Sequence, residues 1–365
     1  MASPPSNTTI DCNLVVVGGG NAGFCAAISA AQSGAERVIL IDKCPEEWAG
    51  GNSYFTAGAF RTVHHGLEDI LPIVNNVDSE NANIIDLAPY TRDDFLGDLS
   101  RVTHGRFDPE LGKELIDESN ESVKWLARNG VRFQLSFNRQ SYKIDGRFKF
   151  WGGMCLKTED GGKGLIVDHQ RAAKRLGVTV LYSTAAKNII LDPKSGAFRS
   201  LLATDKDGNS LLISAKAVIL AGKYNHSRTG CCFSRHYCFP LTVIFYFDIF
   251  LLTKYSAGGF EANPRMRSQY LGPGWDLAYV RGTPYNTGEC LEMAIRDISA
   301  KQVGQWSGCH SVAWDANAPA NTGDREISNE FTKSGYPLGI TINNQGVSDL
   351  GCFIFHIVWL RRFSE

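Results

Sequence analysis

The hydrophobic pattern opens with three consecutive β-branched residues, Val15-Val16-Val17, followed by Gly18-Gly19-Gly20-Asn21-Ala22-Gly23 and small or apolar residues from Phe24 to Ala31. A short continuous apolar run predicts a strand buried on both faces, and the small-residue run predicts a helix lying close against it. A second run, Val38-Ile39-Leu40-Ile41, predicts a neighbouring strand that ends at Asp42. Helical periodicity occupies residues 92–130. Asp93-Asp94 opens one helix and Pro109-Glu110-Leu111 a second, whose apolar positions Leu111, Leu115, Ile116, Val123, Leu126 and Ala127 share a face before Gly130 ends it. Gly161-Gly162-Lys163-Gly164 precedes a further helix that stops at Gly177. Strands are predicted over Val178 to Tyr182, Ala185 to Leu191, Ser200 to Ala203 and Ser210 to Ala221, the last two joined by the turn Asp205-Lys206-Asp207-Gly208. Strands alternating with helices in this way define an α/β fold of Rossmann type.

The glycine spacing adds chemistry to the first strand–helix unit. In Gly18-x-Gly20-x-x-Gly23 the first glycine permits the tight turn, the second lets a pyrophosphate approach the backbone, and the third lets helix and strand pack closely. The helix N-terminus would offer free N–H groups and a positive dipole end to the phosphates. Asp42 stands near the spacing of a ribose hydroxyl acceptor. A lone glycine fingerprint is weak, but a strand before it, a helix after it and an acid closing the next strand together predict dinucleotide binding.

With 365 residues, 43% apolar and 21% charged, the chain is long enough for one large or two moderate domains. Its net charge of −1 gives no electrostatic footprint for nucleic acid or an anionic membrane. Residues 1–10 are Ser/Pro/Thr-rich, lack the apolar core of a signal peptide and read as a disordered lead. Ten cysteines are scattered without a CxxC, which argues against a disulfide framework and for a reduced, cytoplasmic setting. Cys309-His310 has no second cluster at metal-ligand spacing, so no metal is expected.

Several stretches fall into one pattern: the GGGNAG turn, Gly50-Gly51-Asn52-Ser53, Gly161 to Leu165, Gly258 to Pro264, Gly272 to Asp276, Arg281 to Gly288, and Trp306-Ser307-Gly308-Cys309-His310. In these the chain resembles the flavoprotein family of fumarate reductases, succinate dehydrogenase flavoprotein subunits and 3-ketosteroid Δ1-dehydrogenases, and is most similar to its tricarballylate-dehydrogenase-like branch. The resemblance implies an FAD-binding domain over residues 11–304 and the start of an α+β capping domain over 305–346. It implies that Gly18, Gly20, Ala22 and Gly23 hold the FAD pyrophosphate, that Asp42 holds the adenosine ribose, and that Lys43 sits beside it. Gly51, Asn52, Ser53 and Gly58 would run beside the isoalloxazine, Ala186 would offer its backbone to adenine, and Ala221 with Gly258 would line the cofactor. Membrane-bound relatives carry a flavin-linked histidine where this chain has Asn52, so noncovalent FAD is implied.

The implied reaction is hydride transfer between flavin N5 and a carbon–carbon bond next to a carboxylate or carbonyl, as in a fumarate- or tricarballylate-like substrate. His310 would be the catalytic histidine that grips the substrate carboxylate. The electron partner is left open, and neither nucleic acid nor a membrane is expected as a partner. Two other classes compete. An NAD(P)-binding Rossmann protein would have no use for Gly51-Asn52-Ser53 or the Gly258 to Pro264 stretch. A truncated, non-catalytic product is the second, because the family pattern holds through Ile342-Asn343-Asn344-Gln345-Gly346 and then departs, leaving out the motif's arginine, most of the cap and the last flavin-contacting segment.

Two segments depart from globular character. Residues 222–256 form an atypical insert, with three cysteines and a dense apolar run from Phe239 to Leu252. That run contains Asp248 and falls short of the about 20 residues a membrane span needs. Residues 347–365 form an atypical tail with a second such run, Cys352 to Leu360. Both read as translated intron. Gly222-Lys223-Tyr224 can be encoded GGT-AAG-TAY, which contains the splice-donor sequence GTAAGT, and Ser256-Ala257 can be TCA-GCN, which contains an acceptor CAG. Removing the 35 codons between these points keeps the frame and restores an alanine, so the product reads Val-Ile-Leu-Ala-Ala-Gly-Gly-Phe. Val347-Ser348 can be GTA-AGT, a second donor where the family pattern stops. Sequencing the genomic DNA tests this: the named codons are expected at 222–224, 256–257 and 347–348, and other codons there refute the splice reading. Deleting 222–256 should give a more soluble chain, since it removes an apolar run without a partner in the fold.

Overall fold

The computed structural model describes residues 8–221, 259–308 and 319–326. The centre is a six-stranded sheet that begins with β1 (Thr8–Val17). α1 (Asn21–Gln32) crosses over to β2 (Val38–Ile41), which lies parallel to β1 with Leu14 opposite Val38 and Val17 opposite Ile41. α2 (Gly51–Tyr54) is a single turn. α3 (Arg92–Thr103), α4 (Pro109–Asp117) and α5 (Ser119–Arg128) follow, and α6 (Gly161–Arg175) returns the chain to the sheet. There β3 (Thr179–Leu181) pairs parallel with β2. β4 (Ala185–Leu191), β5 (Phe198–Thr204) and β6 (Ser210–Leu220) form an antiparallel meander, and β6 closes parallel on β1. The strand order is β4-β5-β6-β1-β2-β3. α7 (Pro264–Leu271) and α8 (Glu289–Ile298) complete the longer helices.

The continuous apolar runs are explained by a sheet covered on both sides. Leu14, Val16, Val38, Leu40 and Ile219 face α1 and α6 through Phe24, Ala27, Ile28, Ala172 and Ala173. Val15, Val17, Ile39, Ile41, Val218 and Leu220 face the other side, against Leu201, Ile213, Met293 and Ala294. Alternate side chains of one strand therefore enter two different cores, and each large aliphatic contributes about 1.5–3 kcal/mol. These central runs, Val15 to Val17, Val38 to Ile41 and Val218 to Leu220, are buried on both faces. The α/β, Rossmann-like fold class holds.

The differences from the sequence expectation are local. The helix expected to open at Asp93-Asp94 starts at Arg92, because Thr91 and Asp94 form a reciprocal capping box. The expected second helix is two, α4 and α5, divided at Glu118. The glycines of Gly161-Gly162-Lys163-Gly164 are the first turn of α6 rather than its lead-in. They are required there because a Cβ on Gly162 would stand 2.0 Å from the Ser53 carbonyl oxygen, and one on Gly164 would stand 1.8 Å from that of Glu159. Two small sheets, one from Ala59–Phe60, Leu156–Thr158 and Phe133–Leu135, the other from Ile85–Leu87, Arg147–Phe150 and Ser141–Ile144, were not anticipated. Their strands have two to four residues, too short for a periodic signal.

The residues read as intron, 222–256 and 347–365, lie outside the described residues, as does most of the expected cap. Among the described residues, no helix is long and apolar enough to cross a membrane.

Candidate functional site

The site is built at the C-terminal end of β1. Gly18 takes φ +103°, in the left-handed region that excludes side chains, and its N–H donates to the Ile41 carbonyl at 2.8 Å. Gly23 has a different constraint. A Cβ there would lie 1.7 Å from the Gly18 carbonyl oxygen, so helix and turn can meet only over a bare Cα. Gly20 has neither. Its φ of −83° suits any residue, and an added Cβ would come no closer than 3.6 Å to Ser53 Oγ and 3.8 Å to the Gly50 carbonyl oxygen. The chain itself does not need glycine at position 20.

The start of α1 is prepared for an anion. Its N-cap, Gly20, has no side chain to offer, and no acidic residue lies in its first turn. The Asn21 N–H donates to Ser53 Oγ at 3.1 Å, which ties α2 to the helix start. Ala22 is half-buried in the same turn. Ala221 closes the turn from behind: it is fully buried, its N–H donates to the Val17 carbonyl at 2.8 Å, and its Cβ packs on the Gly23 position.

Asp42, at the end of β2, faces this turn. Its Oδ2 accepts from the Gly19 N–H at 2.6 Å and its Oδ1 from the Cys44 N–H at 3.0 Å. The carboxylate thus fastens β2 to the glycine turn. The backbone on either side is paired with the chain leaving β3: Thr184 N–H donates to the Asp42 carbonyl and Ser183 N–H to that of Cys44, each at 2.8 Å. Ala186, two residues further on, is therefore brought near Asp42, where β4 begins. Lys43 is engaged by Glu289, at 2.5 Å, and by Thr287, at the start of α8. Burial raises the pKa of Glu289, but hydrogen bonds from Lys43 and Thr287 outweigh this and hold it below the usual range.

Around α2 the structure separates roles that the sequence grouped together. Gly51 takes φ +51°, and a Cβ there would meet nothing within 4 Å. Asn52 is buried, and its Oδ1 accepts from the Thr283 N–H at 2.8 Å, so close to Gly282 that a Cβ on that glycine would lie 2.0 Å away. Ser53 serves α1. Gly58, at φ +71°, lies under Thr158: a Cβ would stand 2.0 Å from Thr158 Oγ1. Packing against the start of α6 is thus enough to require glycine at position 58.

The segment 319–326 lies alongside this loop through Val280 N–H to Ala320 carbonyl at 2.8 Å and Gly323 N–H to Gly282 carbonyl at 2.7 Å. Arg325 lies over the Tyr54 ring, 3.5 Å from its centroid, with Trp48 and Phe55 beside it. Burial pulls the Arg281 guanidinium down to about 10, with the Arg139 charge adding to the effect. Thr283, His169 and Arg325 had no role from the sequence. Thr283 lies in a motif already noted, whereas His169 sits in an ordinary amphipathic helix without any signal. Gly258 and His310 lie outside the described residues.

A phosphate turn at a helix start, a carboxylate closing the second strand and a meander beside it define a dinucleotide-binding domain. Residues 13–240 match the FAD binding domain family, to which the chain belongs. It is 29% identical over 221 residues to a fumarate reductase (cytochrome) of Shewanella frigidimarina, covering 60% of this chain and 34% of that protein. It is 28% identical over 224 residues to a urocanate reductase of Eggerthella lenta, covering 60% of this chain and 32% of that one. These matches span about a third of the length of the curated relatives. A flavocytochrome c3 fumarate reductase in an open conformation shares the fold with a TM-score of 0.52 at 21% identity, covering 80% of this chain and 40% of that one. The donors, the bare Gly20 and the acid-free start of α1 suit the diphosphate of FAD.

The glycines make a paired prediction. Gly23→Ala should lower stability by about 3 kcal/mol or more, read from the urea midpoint, because backbone must move to admit the methyl. Gly20→Val should leave the midpoint near wild type yet abolish FAD uptake. A Gly20→Val protein with full flavin content would remove the phosphate-cradle assignment.

Proposed function

We propose that the chain is the FAD-binding part of an oxidoreductase that adds or removes two hydrogens across a carbon–carbon bond adjacent to a carboxylate or carbonyl. The observation carrying this is a glycine at position 20 that the fold does not require, within a chain of the FAD binding domain family. Relatives named for fumarate and urocanate support the substrate class, since both compounds place a carbon–carbon double bond next to a carboxylate. A tricarballylate-like polycarboxylate is the proposed member of that class.

Bound FAD supplies hydride exchange at its N5. The residues of this chain hold and orient it. The N–H groups at the start of α1 and the bare Gly20 take the diphosphate, Asp42 the adenosine ribose, and the backbone at Ala186 the adenine. Gly51, Asn52 and Ser53 lie beside the isoalloxazine, with Gly58 fixing their loop and Ala221 and Gly258 lining the cofactor. Lys43 sets the start of α8 against the ribose side. His310 holds the substrate carboxylate and favours charge that develops beside it. With Asn52 where a linking histidine would stand, the flavin is held noncovalently. A second reading, binding without turnover, rests on the sequence resemblance, whose pattern departs after Gly346.

Acid precipitation should release all flavin into the supernatant; a yellow pellet contradicts noncovalent binding. Under anaerobic conditions, with a reduced viologen as electron donor, the chain should reduce fumarate or a larger enoate polycarboxylate. His310→Ala should then lower kcat/KM on the order of 10²-fold. Flavin binding with no turnover on any enoate would favour the second reading.

A further inference from the structure

Asn21 and His169 form a contact that the cofactor assignment does not use. Asn21 is the first residue of α1, inside the glycine turn, and its Oδ1 lies 2.7 Å from Nε2 of His169 in α6. Cys25 Sγ approaches the same oxygen at 3.8 Å. His169 is 1% exposed and stacks on Phe24, with ring centroids 5.8 Å apart and planes 7° from parallel. Burial alone lowers its pKa to about 3, so the ring is neutral and carries one proton.

The position of that proton decides which way the amide faces. His169 Nδ1 is buried without a hydrogen-bond partner. If Nε2 carries the proton it donates to Asn21 Oδ1, and the unmatched Nδ1 is only a lone pair. If the amide were reversed, Nε2 would accept and the proton would sit on Nδ1, a buried N–H with no acceptor. Orphaned buried donors are the rarer and costlier case, and the thiol of Cys25 adds a second donor toward Oδ1. The network therefore assigns Oδ1 inward and Nδ2 to the other side of the same planar amide. Asn21 is half-buried, and Nδ2 has no acceptor among the described residues. The two N–H bonds of Nδ2 are thus held beside a helix start that has no acid in its first turn and whose first N–H alone is taken up, by Ser53 Oγ, next to the bare Gly20.

We propose that Asn21 Nδ2 donates to the diphosphate of FAD, and that His169 is the positioning residue that turns the amide toward it. The proposal rests on the FAD reading above. It gives Asn21, which the glycine fingerprint leaves as an arbitrary residue, a ligand-facing role. It also accounts for a neutral histidine with an unsatisfied nitrogen buried behind the turn. The gain is a hydrogen bond to a charged acceptor, roughly twice as strong as a neutral one.

The test titrates the full-length apoprotein with FAD and with riboflavin, which lacks the diphosphate, following flavin fluorescence. Asn21→Ala should weaken FAD binding by about tenfold or more, and Asn21→Asp should weaken it further by facing a carboxylate to the diphosphate. Riboflavin affinity should be unchanged by either. His169→Phe, which keeps the stack on Phe24 but loses the donor, should weaken FAD in the same sense and add nothing to Asn21→Ala in the double variant. His169→Gln, which retains an N–H donor, should recover part of the loss. FAD affinity at the wild-type level in both Asn21 variants overturns the ligand role, as does an equal loss for FAD and riboflavin. Additive effects of Asn21→Ala and His169→Phe overturn the positioning role. If His169→Phe does not fold, the two Asn21 variants at their half-exposed position still decide the ligand role. A wild-type chain that takes up no FAD would contradict the family reading instead, and is distinguished by that result.

Discussion

The meeting of Gly23 with the Gly18 carbonyl is the constraint on which the rest depends. A single methyl at position 23 would sit 1.7 Å from that oxygen, inside any allowed contact. Because both positions are bare, α1 can start immediately above the end of β1 and lie flat on the sheet through Phe24, Ala27 and Ile28. That crossing fixes where the helix N-terminus points. Asp42, Ser53 and Ala221 are then arranged around one small volume: Asp42 bonds Gly19, Ser53 bonds Asn21, and Ala221 packs beneath Gly23.

The glycines around the site consequently divide by cause. Gly18, Gly23, Gly58 and Gly162 are explained by backbone conformation or by an atom already in the way. Gly20 is explained by neither, and the proposed diphosphate contact rests on that. The same distinction applies to the polar residues. Asn52 and Lys43 have protein partners, Thr283 for one and Glu289 with Thr287 for the other, so each ties its own segment to a neighbouring element. Asp42 bonds protein backbone at both carboxylate oxygens, and so serves the fold as well as the proposed ribose contact.

Much of the sheet was legible in the sequence because burial on both faces leaves uninterrupted aliphatic runs, as in Val15 to Val17, Val38 to Ile41 and Val218 to Leu220. The glycine fingerprint located the turn because two of its residues, Gly18 and Gly23, are dictated by local geometry. The break at Glu118 was not legible, since apolar positions run on from α4 into α5 and Glu118 itself stays in the right-handed helical region. Nor were the short strands of the two small sheets: apart from the local hairpin of Ser141–Ile144 with Arg147–Phe150, their partners lie more than twenty residues away, as with Leu135 and Leu156 or Ile85 and Phe148. His169 was invisible because nothing in a helix sequence reveals that one of its positions faces the phosphate turn of another element. Thr283 was likewise invisible, since it contributes its backbone.

The central claim is that this volume at the end of β1 is shaped for FAD. The most direct measurement is the visible absorption spectrum of the purified chain, with the released cofactor quantified and identified. The account predicts flavin bands and about one FAD per folded chain, not FMN. A colourless, folded protein that cannot be loaded with FAD but takes up a nicotinamide dinucleotide would contradict it.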